Sequence, residues 1–526
     1  MHSISEGPNR EDKGSTHLEE PEIDVKRATF EEAVEETGFG KFNLVLLLVL
    51  FFPCLSQVLE TVNISYVLPI AQCDLGISLE DKGFIISVSF IGMVVSGFFW
   101  GVLSDSFGRK KVLVYGYFLN AFFAMIGAFA TSKTMIIIAK FFGGLIISGP
   151  FSAAIAHTTE FHSKKYRSKV QFIRGMSISF SNLLLPLFAW AILPYQWDFS
   201  ILEYNFHSWN VFLMVCATVP LLGGICYMFL PESPKYLMSQ GKNTEAMEVF
   251  QKVYAVNTGK GKSTFTYKEL IKETNVSQDT SFEQRSPLET IKNGIEQLKL
   301  ILHKPYTSRM ILACAASLLV TSSNNTFKLW LPQIFQSIND YQSNHNGTST
   351  DLCTMLEDLQ TPEEVVEEKI ICSVNTNNMS VYTNSMIVAT TRMVCCLICT
   401  YLIEWLGSKK LAITLPLLTA VFSAGLYFSR TPIEVLALSS LGSSIGSVAD
   451  LVIMNITVEM FPTTLRTVAI ALQLMTGRLG TLAGNITFPY LLNTGCAPPF
   501  AFVTILPFCC AILSFLFPNT ENKPLL

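Results

Sequence analysis

The sequence predicts an all-α membrane protein with twelve transmembrane helices arranged as two six-helix repeats. Three observations predict this fold class: an apolar composition, twelve long apolar runs, and motifs that recur in both halves of the chain. Half of the 526 residues are hydrophobic and only 15% are charged, which is too apolar for a soluble protein of this size. The net charge of −4 argues against a nucleic-acid partner.

The apolar runs are long enough to cross a bilayer. A hydrocarbon core of about 30 Å needs roughly 20 apolar residues in a helix, and twelve stretches meet that requirement. They cover residues 43–70, 84–103, 112–131, 134–157, 170–193, 209–230, 308–335, 381–404, 411–429, 432–456, 467–490 and 499–517. Because the number of spans is even, both termini are expected on the same side of the membrane.

Basic residues predict which side that is. The loop between spans two and three carries Arg109, Lys110 and Lys111, and the loop between spans eight and nine carries Lys409 and Lys410. Loops on the opposite side hold few bases. By the positive-inside rule, the basic loops and both termini face the cytosol. The first forty residues also lack the basic region and short apolar core of a signal peptide.

The spans divide the chain into five parts. One of them, the second bundle, includes an extracytosolic loop. The linker is expected to hold short helices, because "NTEAMEVFQKVYAV" has apolar residues at helical spacing. The parts are a cytosolic N-terminal tail (1–42), a first bundle (43–230), a cytosolic linker (231–307), a second bundle (308–517, with the loop 336–380) and a cytosolic C-terminal tail (518–526).

The extracytosolic loop carries features of an oxidising compartment. The sequon "NGT" at Asn346 is a glycosylation acceptor. Cys353 and Cys372 are candidates for a disulfide. Cys73 and Cys496 fall on the same side, so the pairing stays open.

The two halves of the chain share motifs in the same order. "SDSFGRKKV" at 104–112 is similar to "IEWLGSKKL" at 403–411, and "EFHSKKYR" at 160–167 is similar to "EMFPTTLR" at 459–466. The offset is about 299 residues throughout, and such paired motifs indicate two homologous halves. The corresponding positions are Asp105 and Glu404, Gly108 and Gly407, Lys110 and Lys409, Glu160 and Glu459, and Arg167 and Arg466.

"GVLSDSFGRKKV" at 101–112, together with this repeat, resembles the loop signature of the major facilitator superfamily. The resemblance implies two six-helix bundles related by an axis along the membrane normal. It also implies a cytosolic gate that opens as the bundles rock, in which Asp105 pairs with Arg109 and Gly101 allows close helix approach. The alternative is that the bases of this motif are only a topology signal.

Other stretches resemble the synaptic vesicle glycoprotein family and its relatives among the sugar and organic-ion porters. They are "FEEAVEETGFGKFN" (30–43), "AWAILPYQWDF" (189–199), "FHSWNVFLMVCA" (206–217) and "PESPKYL" (231–237). That family has an acid three positions before its Glu in span one, whereas this chain has Gln57 there and keeps only Glu60. The resemblance implies a relative of the synaptic protein, placed in the plasma membrane or an intracellular vesicle.

Charged residues inside spans cost about 2.5–3.5 kcal/mol each at a helix centre, so they are functional candidates. Glu60 and Asp450 could bind a cation or carry a coupled proton, or they could make only structural polar contacts. Lys328 could contact an anion or neutralise an acid, or it could reach the outer interface. Trp330 is a candidate stacking wall or an interfacial belt residue. For Arg392 a salt bridge to another span is the preferred interpretation.

Two more basic residues lie inside spans. Lys140 in span four and Arg478 in span eleven occupy positions that are basic in the family, and structural coupling is the preferred role for both. The glycines after Lys140 in "KFFGGLIISG" would let spans pack closely. His157 could relay a proton, although a packing histidine is commoner. The sequence has no evident metal-ligand cluster, phosphate loop or nucleophile–base set, so no cofactor and no enzymatic activity are predicted.

Two functions are compatible with these features. The first is a secondary active transporter that moves a small organic solute, an organic cation or another organic ion, by alternating access with or without coupled protons. The second is a non-transporting vesicle-membrane protein that acts in trafficking or partner binding. The expected partners are the solute, protons and the lipid bilayer, and the superfamily leads us to expect a monomer.

Overall fold

The computed structural model describes residues 26–195, 199–201, 204–271, 299–301, 303–304, 306–345, 348, 350–357 and 379–518. Within these ranges, ten helices are long and apolar enough to cross a membrane. Two further long helices, Leu79–Phe107 and Thr463–Asn493, occupy the positions of the second and eleventh predicted spans. The all-α membrane fold is confirmed, whereas the count of twelve spans stays a prediction.

The first half of the chain contains seven long helices, two of which form one broken span, and a short hairpin before the last. In order, it consists of β1 (Arg27–Ala28), α1 (Phe30–Glu36), α2 (Lys41–Val62), α3 (Ile64–Leu75), α4 (Leu79–Phe107), α5 (Arg109–Ala128), α6 (Lys133–Glu160), α7 (Lys164–Ile192), β2 (Phe199–Ile201), β3 (Tyr204–Phe206) and α8 (Ser208–Phe229). The break between α2 and α3 is at Asn63.

The linker region and the second half are also mainly helical. The linker contributes α9 (Pro234–Ser239), α10 (Asn243–Thr258), a short 3₁₀ turn (Lys262–Thr264) and β4 (Glu269–Leu270). The second half consists of α11 (Tyr306–Asn344), α12 (Leu352–Glu357), α13 (Met379–Leu406), α14 (Ser408–Tyr427), α15 (Pro432–Met460), α16 (Thr463–Asn493) and α17 (Ala497–Ser514).

Capping residues extend helices beyond the apolar runs. At α4, the Ser78 side chain accepts a hydrogen bond from the Asp81 backbone, and the Asp81 carboxylate accepts one from the Ser78 backbone. This reciprocal pair satisfies two backbone donors at the helix start. The helix therefore begins at Leu79, whereas hydropathy alone placed the span at 84–103.

The internal repeat is visible in the backbone. Gly108 joins α4 to α5 with φ of 96°, and Gly407 joins α13 to α14 with φ of 79°. A positive φ is readily adopted by glycine and strained for other residues. The same glycine is therefore needed at the same joint in both halves.

The glycine-rich face of α6 lies directly against α4, as its sequence predicts. A Cβ atom added to Gly144 would collide with the backbone of Ser89 on α4, and one added to Gly92 would collide with the backbone of Phe141. Glycine thus allows the two backbones to meet.

Part of the predicted N-terminal tail is folded onto the linker. β1 pairs in parallel with β4, and Phe30 and Val34 of α1 pack with Phe250 of α10 in a small apolar core. Asn257 of α10 then holds the start of α2, since its side chain donates to the Thr37 carbonyl at 3.0 Å and accepts from the backbone of Phe42 at 3.0 Å. These contacts give a structural role to the stretch "TGFGKFN".

Of the disulfide pairings left open by the sequence, the candidate pair of Cys353 and Cys372 does not form. Cys353 is bonded to Cys496, with 5.4 Å between their Cα atoms, and Cys73 is also disulfide-bonded. The reason is packing: the buried face of α12, including Leu352, lies against the second bundle beside the start of α17. Cys372 falls outside the part of the chain that the structure describes, as does the glycosylation candidate Asn346.

The bond between Cys353 and Cys496 can be tested directly. A non-reduced digest analysed by mass spectrometry should contain a peptide pair joining these two cysteines. Cys353→Ser and Cys496→Ser should each lower the apparent melting temperature by several degrees, because a disulfide that closes a long loop constrains the unfolded chain. Cys509→Ser, at a free cysteine, is the control. A peptide pair joining Cys353 to Cys372 would contradict the structure.

Candidate functional site

The two halves meet mainly along two pairs of helices, and α3 also packs against α11. α4 of the first half packs against α16 of the second, and α7 packs against α13. We call the membrane end that carries the basic loops before α5 and α7 the inner end, and the other the outer end, following the predicted topology.

At the outer end, polar contacts join the halves. The Lys82 ammonium at the start of α4 donates to the side-chain oxygen of Gln333 on α11 at 2.9 Å, and also to Gln72 at 2.7 Å. The Asn493 amide donates to the Glu80 carboxylate at 2.6 Å. Lys82 is only 4% exposed. These contacts hold the outer ends of the two halves together.

Near the middle of the membrane, Arg478 links the halves. Its guanidinium on α16 donates to the backbone carbonyl of Met93 on α4 at 3.1 Å. Gly97 lies one turn further along α4, where an added Cβ would come within 3.8 Å of Arg478. This placement agrees with the coupling role preferred from the sequence.

A cavity lies between the halves on the α7–α13 side. It is lined from the first half by α2, α3 and α7 and from the second by α11, α13 and α15. The lining residues of α11 and α13 lie near the middle of these helices, so the cavity lies near the middle of the membrane. The polar lining residues are Tyr66, Asn182, Lys328, Ser385, Arg392, Ser443 and Ser447.

Two cations face this cavity. The Lys328 ammonium donates to the side-chain oxygen of Asn182 across the interface at 2.6 Å, so it does not reach for the outer interface. The Nε atom of Arg392 is buried without a hydrogen-bond partner. The predicted salt bridge of Arg392 to another span stays a prediction.

Glu60 is absent from the cavity lining and forms an ion pair inside the first bundle. Its carboxylate lies 3.3 Å from the Lys140 ammonium on α6, and the two residues are 5% and 7% exposed. Ser89 donates to the same carboxylate at 3.3 Å. Gly143 provides the space, because a Cβ there would come within 2.5 Å of the carboxylate. Of the two roles left open for Glu60, these contacts favour the structural one inside the bundle.

Trp330 does not line this cavity either. It packs against Phe488 with ring centroids 5.2 Å apart and borders a separate apolar pocket with Ile334 and Phe500. Residues two positions apart on a helix point about 200° away from each other. Lys328 and Trp330 therefore cannot both face the same site, and the expectation of a stacking wall is wrong.

The inner joint of the first half is built around Arg109. Its guanidinium pairs with Glu160 at 3.4 Å and donates to the Ser104 carbonyl at 3.2 Å. Glu160 also accepts a hydrogen bond from Ser233. Lys110 contributes through its backbone, which donates to the Glu232 carboxylate at 2.9 Å. The stretch "PESPKYL" is thus part of this joint.

The second half repeats the joint with a neutral donor. Ser408, which occupies the position of Arg109, donates to the Glu459 carboxylate at 3.0 Å. Asn455 donates to the same oxygen at 2.7 Å. Lys409 follows at the start of α14. The side chains of Asp105 and Glu404 fall in positions that the structure leaves undescribed.

Three further gate predictions have different outcomes. Gly101 is exposed and an added Cβ would meet no atom within 4 Å, so in this conformation it makes no close helix contact, contrary to expectation. Arg167 pairs with Glu31 of α1 at 2.9 Å, which ties the inner loop to the N-terminal segment. Arg466 is partly exposed, with its Nε atom buried and without a partner.

His157 is a packing residue. It is fully buried, its Nε2 atom lies 3.0 Å from the Pro231 carbonyl, and its ring contacts Phe161 and Tyr227. Sequence reasoning missed Asn182 as a cavity residue and Ser233 and Glu232 as joint residues. These three residues are polar and lie inside a span or just after one, and this placement is the sequence signal that could have identified them.

Two helical bundles that meet around a central cavity define a class of polytopic membrane protein. A sequence profile of the Major Facilitator Superfamily matches residues 46–356 and 373–525, and the chain belongs to this superfamily. The predicted resemblance is confirmed.

Known proteins similar to the chain agree with this assignment. Synaptic vesicle glycoprotein 2B of Rattus norvegicus is 32% identical over 230 residues, which cover 43% of this chain and 34% of the relative. Synaptic vesicle glycoprotein 2C of Mus musculus is 30% identical over 255 residues, covering 47% and 35%. The matched segment thus covers about a third of the length of these relatives.

Solved structures share the fold. A D-xylose–proton symporter superposes with a TM-score of 0.63 at 16% identity, over 92% of this chain and all of the symporter. A nucleoside transporter superposes with a TM-score of 0.58 at 12% identity, over 92% and 100%. At these identities the similarity shows the fold alone.

The ion pair between Glu60 and Lys140 predicts how substitutions at these two residues change the apparent melting temperature. Glu60→Gln should lower the apparent melting temperature strongly, because an unpaired buried charge costs about 3–5 kcal/mol. Adding Lys140→Met should restore part of the loss. Glu245→Gln, in an exposed ion pair with Lys242, is the matched control and should have little effect. Additive losses in the double variant would contradict a structural ion pair.

Proposed function

We propose that the chain is a secondary active transporter that moves a small organic solute by alternating access. The observation that carries the proposal is the cavity between the halves, which both halves line near the middle of the membrane. When two bundles rock about a site at their interface, the site opens to each side in turn. A cavity buried within one bundle would not support such a cycle.

The distribution of polar contacts supports this cycle. Lys82 and Gln333 join the halves at the outer end. At the inner end, Arg109 and Glu160 pair within the first half, and Ser408 and Glu459 pair within the second. This pattern fits a conformation closed on the outer side, in which the gate residues bond to their own halves.

Asp450 is the favoured site for a coupled proton. Glu60 already has Lys140 as a permanent counter-charge inside its bundle. Asp450 instead lies on α15, a helix that lines the cavity, and we propose that it acts on Arg392. A solute that engages Arg392 would compete with Asp450 for the same guanidinium, and this competition would link solute binding to the charge of the carboxylate.

The setting we propose is a plasma or vesicle membrane, with a monomeric protein whose termini both face the cytosol. The similarity to synaptic vesicle glycoproteins supports the vesicle and also keeps a second candidate, a non-transporting protein that binds partners. The folded segment of α1, β1, α10 and β4 favours a partner surface at the inner end. A reconstituted protein that moves no solute while retaining a partner would favour this candidate.

If the two bundles rock during transport, a chemical cross-link between them at the outer end should stop transport. In proteoliposomes, uptake of radiolabelled organic cations, organic anions and sugars should reveal a transported solute. Lys82→Cys with Gln333→Cys, joined by a short reducible thiol cross-linker, should then lose most of that uptake and recover it on reduction. Lys82→Cys with Gln72→Cys bridges only one half and is the control. Unchanged uptake by the cross-linked pair between halves would contradict alternating access.

Proton coupling predicts a separate effect at Asp450. Asp450→Asn should remove the dependence of uptake on an imposed pH gradient while exchange of solute across the membrane continues, because the neutral side chain cannot carry the proton. Asp351→Asn, in the outer loop, should leave the gradient dependence unchanged. Gradient-driven uptake that persists in the Asp450 variant would exclude this residue as the proton carrier.

A further inference from the structure

We propose that the central cavity binds a small organic anion with an apolar body, and that Lys328 and Arg392 hold its charged group. This inference rests on the proposed transport function and names the class of solute. In the sequence, the acidic pair of Glu60 and Asp450 favours a cationic or proton-coupled solute, but neither residue is among the described residues that line the cavity.

The first step is the charge of the lining. Among the lining residues that the structure describes, two carry a positive charge, Lys328 and Arg392, and no carboxylate is included. The described partner of the Lys328 ammonium is the amide oxygen of Asn182, which is polar but uncharged. Arg392, which has the same sign, lines the same cavity.

The second step is the balance around Arg392. The Nε atom of Arg392 is buried without a hydrogen-bond partner among the described residues. Lys328 and Arg392 therefore lack a carboxylate counter-charge among the described residues that line the cavity. Buried charges without a partner are costly within a membrane. A carboxylate on the solute would supply that charge and accept hydrogen bonds from both cations.

The third step is the remaining lining. Val62, Leu185, Leu331 and Val388 present aliphatic side chains to the same cavity. Such walls favour an apolar body, while a few placed polar groups fix its orientation. A hydroxyl-rich neutral solute such as a sugar would leave the positive charge uncompensated and would meet these aliphatic walls. An organic cation would add a third positive charge.

The test compares solutes of the same shape and different charge. Purified full-length protein would be titrated with benzoate, benzamide and benzylammonium, and with hexanoate, hexanamide and hexylammonium, in gluconate and in chloride buffers. Each carboxylate should bind at least about tenfold more tightly than its amide, because a charge-assisted hydrogen bond contributes about 1.5–3 kcal/mol. Each ammonium compound should bind more weakly than the amide.

Substitutions then assign the preference to the two cations. Lys328→Gln and Arg392→Gln should each weaken carboxylate binding about tenfold and leave amide binding nearly unchanged. Lys328→Arg keeps the charge and should keep the preference, which separates loss of charge from loss of folding. Arg430→Gln removes an exposed charge at the outer end and should have no effect.

Several outcomes would overturn the inference. These are equal affinity for acid and amide, tighter binding of the ammonium compounds, an equal loss in Arg430→Gln, or binding of chloride alone. Uptake of neutral or cationic solutes without a preference for anions would overturn it while leaving transport intact. Anion binding that depends on Lys328 but is never followed by uptake would support the site and reject transport.

Discussion

The arrangement of this protein depends on one constraint, which is that a charge inside a membrane needs a counter-charge. Glu60 and Lys140 meet the constraint within the first bundle, where Gly143 leaves room for the carboxylate. For Arg392, the counter-charge we propose is Asp450 on α15. Lys328 has an amide partner, which is polar but uncharged. The constraint therefore separates charges that stabilise a bundle from charges that are available to a solute.

The same separation explains how each half can move as a rigid body. The joints at the inner end are closed within each half, because Arg109 pairs with Glu160 and Ser408 pairs with Glu459. Each half thus keeps its own loop geometry, including the left-handed glycine at its joint. The side-chain hydrogen bonds between the halves at Lys82 and Arg478 are local, so they can be exchanged without unfolding either bundle.

Much of the fold could be predicted from the sequence, because hydropathy, charged loops and the repeat are local signals. The close packing of α4 on α6 was also readable from the glycines after Lys140. The partners of Glu60 and Cys353 were not, since pairing between distant segments depends on how helices are placed and rotated. The separation of Lys328 from Trp330 was available in principle, because helix geometry places them on different faces.

The central claim is that a solute binds between the two halves, against Lys328 and Arg392. The most direct measurement is an experimental structure of the protein reconstituted with benzoate. The account predicts density for the ring among Val62, Leu185 and Val388, with the carboxylate within hydrogen-bond distance of both cations. Density confined to the apolar pocket beside Trp330, or an empty central cavity at saturating benzoate, would contradict it.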